Sequence, residues 1–250
     1  MYHYLIANAP SDSWIVVSSP EPGGFQPDVA HALSTTLGGV CLAFEGIFGK
    51  NVLFRYPRLT VRNSPDTPQC FSEAETIDLS TEGNFPQQHI YQFAHELCHF
   101  VIHQPVCTHY RWLEETLCEL MSWCVLSWIY ANRVSAPLST MNGIYDSIPR
   151  YISNSRQDRL DLGGFPLHLF VAKNLTHLRS DCYDRRLNRS IANELFPLFL
   201  THPELWQIVF RLPYLSNTVS LYTALHFICD MSGTSKDLRN NLVRLLVGQA

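Results

Sequence analysis

The chain has 250 residues, of which 46% are hydrophobic, 12% aromatic and 16% charged. This composition is typical of a folded globular protein and argues against a disordered one, and the length is enough for one large domain or two small ones. Because the net charge is only −4, neither nucleic acid nor an anionic membrane surface is expected as a partner.

The N-terminal residues lack the basic and apolar regions of a cleavable secretion signal. No stretch reaches the roughly 18 uninterrupted apolar residues that a membrane span needs. The eight cysteines include no CxxC pair, so reduced thiols that mostly lie in the core are expected. The sequence therefore predicts a cytoplasmic protein without membrane attachment, and leaves export without a cleavable signal open.

The N-terminal third has short β-prone runs separated by Pro, Gly and Asn loop signals. A helix is predicted over residues 29–37, followed by a Gly-rich bend. Residues 75–79, Glu-Thr-Ile-Asp-Leu, alternate polar and apolar side chains and predict a half-buried edge strand. The other predicted strands are 2–7, 14–18, 52–56 and 59–62.

Two long helices are predicted after this sheet. Residues 87–103 follow Pro86, which suits a first helical turn, and their apolar side chains recur at helical spacing. Pro105 ends this helix, and a second helix is predicted over 110–132. The remainder is predicted to be mostly helical, with the clearest segments at 190–200, 204–211, 218–231 and 236–247.

The pattern of elements predicts an α+β fold. Residues 1–135 are expected to form one part, with a small sheet and the two long helices. Residues 136–250 are expected to form a mostly helical C-terminal subdomain. The boundary is soft, because no strong linker stands between the two parts.

The first long helix carries the motif His-Glu-Leu-Cys-His, or HExxH, at residues 95–99. Side chains four positions apart share one helix face, so His95 and His99 can bind one ion. Neutral imidazoles suit Zn²⁺, which lowers the pKa of a bound water to about 7. The motif therefore predicts a zinc site with Glu96 as the catalytic base; the alternative is two ordinary histidines on a solvated helix face.

A catalytic zinc of this kind needs a third protein ligand, and the second helix contains Glu114, Glu115 and Glu119. Here the sequence resembles the gluzincins, the thermolysin-like clan of zinc metallopeptidases. In that clan a Glu on a following helix completes the site, and an acidic residue four positions later supports the first histidine of the motif. The resemblance implies Glu115 as the third ligand and Glu119 as the partner of His95, while Glu114 and Glu119 remain alternative ligands.

Two further histidines are rival ligands. His103 lies about 12 Å along the helix axis from His95, too far to share an ion on a straight helix. His109 could bind only if the loop before it folded back. The metzincin pattern HExxHxxGxxH is absent, because Ile102 stands at its Gly position.

The resemblance also implies a zincin-like arrangement of the sheet. In such folds a strand just before the active helix forms the rim of the cleft and pairs with an extended peptide, and residues 77–80 are placed for that role. An additional donor to the reaction's oxyanion is also expected. His226, four residues after Tyr222, is the first choice, with His168 and His177 as others; each could equally be an ordinary packed or solvated residue.

Together these patterns predict a zinc-dependent metallopeptidase that acts on a peptide or protein substrate. Two alternatives stay open: a zinc hydrolase of a non-peptide amide, and a catalytically inactive zincin-like sensor or adaptor. Residues 150–189 carry eight basic and four acidic side chains, and this stretch is predicted to be solvated surface rather than a nucleic-acid site.

Overall fold

The computed structural model describes residues 16–17, 27–49, 52–53, 59–64, 66–80, 85–134 and 143–248. These residues form an α+β structure that is mostly helical and contains one small sheet, as the sequence predicts. The contacts group the chain into two compact units. The first unit holds residues 1–103 and 121–154, and the second holds residues 104–120 and 155–250.

The sheet of the first unit has the strand order β1-β2-β4-β3. Strands β1, β2 and β4 are parallel, and β3 is antiparallel to β4. Their bounds are Val16–Val17, Leu59–Asn63, Gln69–Phe71 and Thr76–Leu79 in the order β1 to β4. The predicted strand at 59–62 is confirmed as β2. The predicted strand at 14–18 is confirmed at Val16–Val17 as β1, and the predicted strand at 2–7 lies outside the described residues. Of the predicted strand at 52–56, residues 54–56 lie outside the described residues, whereas residue 52 is a bend and residue 53 is 3₁₀-helical.

The predicted strand at 75–79 is confirmed as β4, but its predicted position at the edge of the sheet is wrong. Strand β4 lies inside the sheet, because the chain reverses at Ser72–Ala74 and places β3 on its other side. Glu75 completes this reversal with a positive φ of 51°. A three-residue strand has too little alternation to be visible in sequence, so β3 was missed.

Helix α1 spans Pro27–Phe48, which is longer than the predicted helix over 29–37. It continues through the Gly pair at 38–39, where a bend was predicted. Its residues Val40, Ala43 and Phe44 are fully buried, and α1 packs against α2. Burial of this apolar face outweighs the cost of about 1 kcal/mol that each glycine adds to a helix.

The two predicted long helices are confirmed as α2, Pro86–Ile102, and α3, Arg111–Ala131. Helix α2 packs against β3 and β4 in the first unit. Helix α3 contributes its residues up to Leu120 to the second unit and those from Met121 to the first. The predicted boundary between residues 135 and 136 falls outside the described residues.

The remaining helices confirm the helical C-terminal part. They are α4 Ile148–Ser155, α5 Leu167–Ser180, α6 Arg185–Thr201, α7 Leu221–Met231 and α8 Lys236–Val247. The predicted helix over 204–211 lies within a 3₁₀ segment, Pro203–Tyr214. Side chains of Asp184, Ser220 and Ser235 cap the N-termini of α6, α7 and α8. None of the helices in the described part of the chain combines the length and apolar character that a membrane span requires.

Candidate metal centre

The HExxH motif lies on helix α2, which is regular from Pro86 to Ile102. Pro86 occupies its first turn, and the chain leaves the helix at His103, which has a positive φ of 64°. The apolar stripe faces the core, with Ile90, Phe93 and Leu97 fully buried. His95 and His99 are partly exposed, and their ring centroids are 5.1 Å apart. The burial of one face of α2 therefore leaves both imidazoles on another.

The structure brings three of the predicted site residues together. One ligand atom each of His95, His99 and Glu115 lies within 4.8 Å of the others. Donors bound tetrahedrally to one zinc at about 2.1 Å would be about 3.4 Å apart, and the observed separations of at most 4.8 Å are close to that requirement. Two imidazoles and one carboxylate form a donor set that suits a divalent metal. This cluster could therefore bind a metal ion.

The rival ligands do not join this cluster. Among the described residues, it is the one group of three or more His, Cys, Asp and Glu side chains with metal-binding geometry. His103 is exposed and ends α2, where its backbone N–H donates to the His99 carbonyl at 3.1 Å. The backbone N–H of His109 donates to Asn217 Oδ1 at 3.1 Å. Glu115 is thus the helix α3 carboxylate that the geometry favours over Glu114 and Glu119.

The other site residues predicted from the sequence are not members of the three-residue cluster. Glu96 is buried on α2, directly after His95. His226 lies on α7 with its ring centroid 4.4 Å from that of Tyr222, and the role of oxyanion donor stays a prediction for it. His177 pairs with Asp184 at 2.9 Å. The cysteine of the motif, Cys98, is fully buried in the core, and all eight cysteines are free thiols, as predicted.

Residues 77–80 do not have the free backbone that the strand-addition prediction requires. Ile77 and Asp78 are paired with β2 on one side and β3 on the other. The side chain of Gln92 accepts from the Ser80 N–H at 3.1 Å and donates to the Ser80 carbonyl at 2.8 Å. An added peptide strand would find these groups already bonded, so the prediction is wrong for this segment.

The sequence reasoning missed the partner of Glu119. This carboxylate is 2% exposed, and Arg189 of α6 donates to it from Nε at 2.7 Å. Arg189 was predicted to be solvated with the rest of the basic stretch 150–189, but its side chain is only 10% exposed. A sequence signal for buried polar contacts was present, because three successive polar residues, Asn-Arg-Ser, lie inside α6. The predicted support of His95 by Glu119 stays a prediction.

A second missed feature is the turn between α5 and α6. Burial raises the pKa of the Cys182 thiol, and the negative charge of Glu115 adds to that effect. Burial also raises the pKa of Tyr183, again with contributions from Cys182 and Glu115. These two residues therefore lie in the electrostatic environment of a candidate metal ligand. Tyr183 is 68% exposed as a residue, so its burial is only partial.

Comparison with known proteins adds no assignment to this geometry. No family model matches the chain, and no curated protein or solved structure matches it.

Proposed function

We propose that the protein is a zinc-dependent hydrolase that cleaves peptide bonds, a gluzincin-like metallopeptidase. The single observation that carries this proposal is the convergence of His95, His99 and Glu115. Two of these residues come from the HExxH motif and the third from a separate helix, as the sequence resemblance implies. Two histidines and a glutamate leave one position of a tetrahedral zinc for solvent or substrate, which a catalytic site requires and a closed structural site lacks.

Four residues of the candidate site have defined tasks in the proposed reaction. His95, His99 and Glu115 would hold the metal. A zinc ion bound there would supply Lewis-acid chemistry, by lowering the pKa of water and polarising the substrate carbonyl. The Glu96 carboxylate takes a proton from the attacking water and delivers it to the departing amine nitrogen. The burial of Glu96 limits competition from bulk water for that proton.

The β3 end of the sheet offers a position for an extended substrate. Strand β3 is the last strand in the sheet order and packs against α2, the helix with the motif. Its residues Gln69 and Phe71 are exposed. A peptide added at this end of the sheet would use backbone hydrogen bonds for affinity and side-chain contacts for selectivity. We therefore assign substrate binding to β3 in place of residues 77–80.

The test is metal analysis combined with peptide cleavage. Wild-type protein is expected to copurify with about one equivalent of zinc and to cleave members of a fluorogenic peptide library. Glu96→Gln should retain the zinc and lose roughly 10²- to 10⁴-fold in turnover, because the base is removed and the ligands are not. A protein with both His95→Ala and His99→Ala should lose zinc and activity together.

Two outcomes would contradict the proposal. Zinc lost from the Glu96→Gln protein would mean that Glu96 is needed to hold the metal rather than to transfer a proton. Zinc bound by the wild type without cleavage of any peptide, but with hydrolysis of small amides, would replace the peptidase with the non-peptide hydrolase.

A further inference from the structure

Helix α6 buries three consecutive polar residues. Asn188, Arg189 and Ser190 have relative exposures of 4%, 9% and 0%. Burying polar groups costs free energy unless each finds a hydrogen-bond partner. A helix whose only role is to fill the core would carry apolar residues at buried positions. The hydrogen-bond partners of these three side chains therefore indicate the role of the segment.

Two of the three side chains reach the part of α3 that carries Glu115. Arg189 Nε donates to Glu119 Oε1 at 2.7 Å, and Arg185 Nε lies 3.9 Å from the other oxygen of that carboxylate. The hydroxyl of Thr116 faces Asn188 Oδ1 at 3.3 Å and the Trp112 carbonyl at 2.7 Å. These contacts are made one and four residues after Glu115. We call Asn188 and Arg189 the α6 clamp.

The α6 clamp is itself held from the other side. Arg189 Nη1 donates to Asp158 at 2.7 Å, and Asn188 Nδ2 donates to the Cys182 carbonyl at 2.7 Å. Each clamp residue therefore links α3 to a second segment of the same unit. A network in which each of two buried side chains makes contacts to two segments has few alternative arrangements, so it holds α3 in one orientation about the helix axis.

The orientation of α3 about its own axis affects the position of a metal-ligand atom far more than it affects apolar packing. A side-chain end about 6 Å from the helix axis moves about 2 Å when the helix turns by 20°. Ligand distances in a metal site must be correct within about 0.2 Å. A buried ion pair such as Arg189–Glu119 contributes little to stability compared with well-packed apolar residues. Stability alone therefore does not account for the α6 clamp.

We propose that Asn188 and Arg189 are positioning residues, which hold the 115–119 segment of α3 so that Glu115 faces the metal. The inference rests on the metal site of the proposed function and not on peptide cleavage. It assigns a role to two side chains of α6, a helix that carries neither the HExxH motif nor Glu115.

The test is titration of the metal-free protein with Co²⁺, whose visible absorption reports the geometry of its ligands. Arg189→Met should weaken Co²⁺ binding by about 10- to 100-fold and change the spectrum, as loss of outer-shell partners does. Arg189→Lys keeps the charge and should recover part of the affinity, but without the planar fork that serves two carboxylates. Arg239→Met is the matched control, because Arg239 pairs with Asp230 in the same unit.

A second pair of variants repeats the test without changing charge. Asn188→Ala should weaken Co²⁺ binding by about 10-fold, whereas Asn193→Ala should leave it unchanged. Asn193 lies on the same helix, but its side chain accepts from Arg156 at 2.9 Å and 2.7 Å. Circular dichroism confirms folding of each variant before titration. If Arg189→Met fails to fold, Co²⁺ titration of Arg189→Lys and Asn188→Ala tests the positioning role instead.

The α6 clamp proposal is overturned if folded Arg189 and Asn188 variants bind Co²⁺ with the affinity and spectrum of the wild type. It is also overturned if the control variants Arg239→Met and Asn193→Ala lose as much Co²⁺ affinity as the Arg189 and Asn188 variants, because the loss would then reflect general destabilisation. A wild-type protein that binds no Co²⁺ would instead overturn the metal site and, with it, the proposed function.

Discussion

At the scale of single residues, the choice between Glu114 and Glu115 decides the metal site. Both are carboxylates on the first turns of α3 and both are partly exposed. Successive residues on a helix point about 100° apart, so only one of them can face the two imidazoles. Glu115 is the one whose carboxylate reaches the cluster.

Glu115→Ala is therefore expected to lower zinc affinity by more than about 100-fold, since even an outer-shell partner is worth 10- to 100-fold. Glu114→Ala, the matched control, should change it by less than about 3-fold, because a neighbouring charge that binds no metal acts through water. Competition with a zinc-binding dye measures both affinities. Equal losses in the two variants would show that the ligand has been assigned to the wrong glutamate.

The residues of the candidate site differ in how far sequence could predict them. His95 and His99 follow from helical spacing alone, because the two ligands are one turn apart. Glu115 needed the family resemblance, since spacing alone left three carboxylates open on α3. The polar run Asn-Arg-Ser marks Arg189 as unusual for a packed helix, but it does not identify the partner, because Glu119 is 70 residues away and a basic residue in a basic stretch is most often solvated.

At the scale of elements, long periodic segments were predictable and short ones were not. Helices α2 and α3 have apolar stripes and Pro boundaries, and their predicted ends agree within about two residues, the usual uncertainty of helix ends. Strand β3 has three residues, and its existence depends on the tertiary pairing with β4. Helix α1 passes through glycines that local propensity would use to end it. Tertiary packing, rather than local propensity, thus determines both the presence of β3 and the length of α1.

Gly46 on α1 tests how tightly that helix packs against α3. A Cβ at this position would lie 2.5 Å from two ring carbons of Trp128. Gly→Ala in a helix normally stabilises by about 0.5–1 kcal/mol, but here the clash should reverse the sign. Gly46→Ala is expected to destabilise by about 1–3 kcal/mol, which lowers the melting temperature by several degrees.

Thermal unfolding measured by circular dichroism checks this sign. In a Trp128→Leu background the ring is gone, so the same Gly46→Ala change should regain the usual stabilisation. Such non-additivity is expected of residues in contact. A stabilising Gly46→Ala in the wild-type background would show that α1 is free to shift away from Trp128.

At the scale of the whole molecule, the free energy of unfolding should depend on pH through buried His89 of α2. Burial lowers the pKa of His89 from its ordinary 6.5 to about 4. Between these two values the unfolded chain binds a proton that the native protein does not. The unfolded state therefore gains stability as the pH falls through this window, and the native protein is most stable above pH 6.5.

Between pH 7 and pH 5, His89 should by itself lower the free energy of unfolding by about 2 kcal/mol. The measurement is urea unfolding at both pH values with a chelator present, so that protonation of metal ligands does not contribute. In His89→Gln, which keeps polarity but cannot take up a proton, the pH dependence should shrink by that amount. His202→Gln is the control, since the His202 side chain is 41% exposed. Wild type and His89→Gln would lose equal stability between pH 7 and pH 5 if His89 became protonated in the native protein as readily as in the unfolded chain.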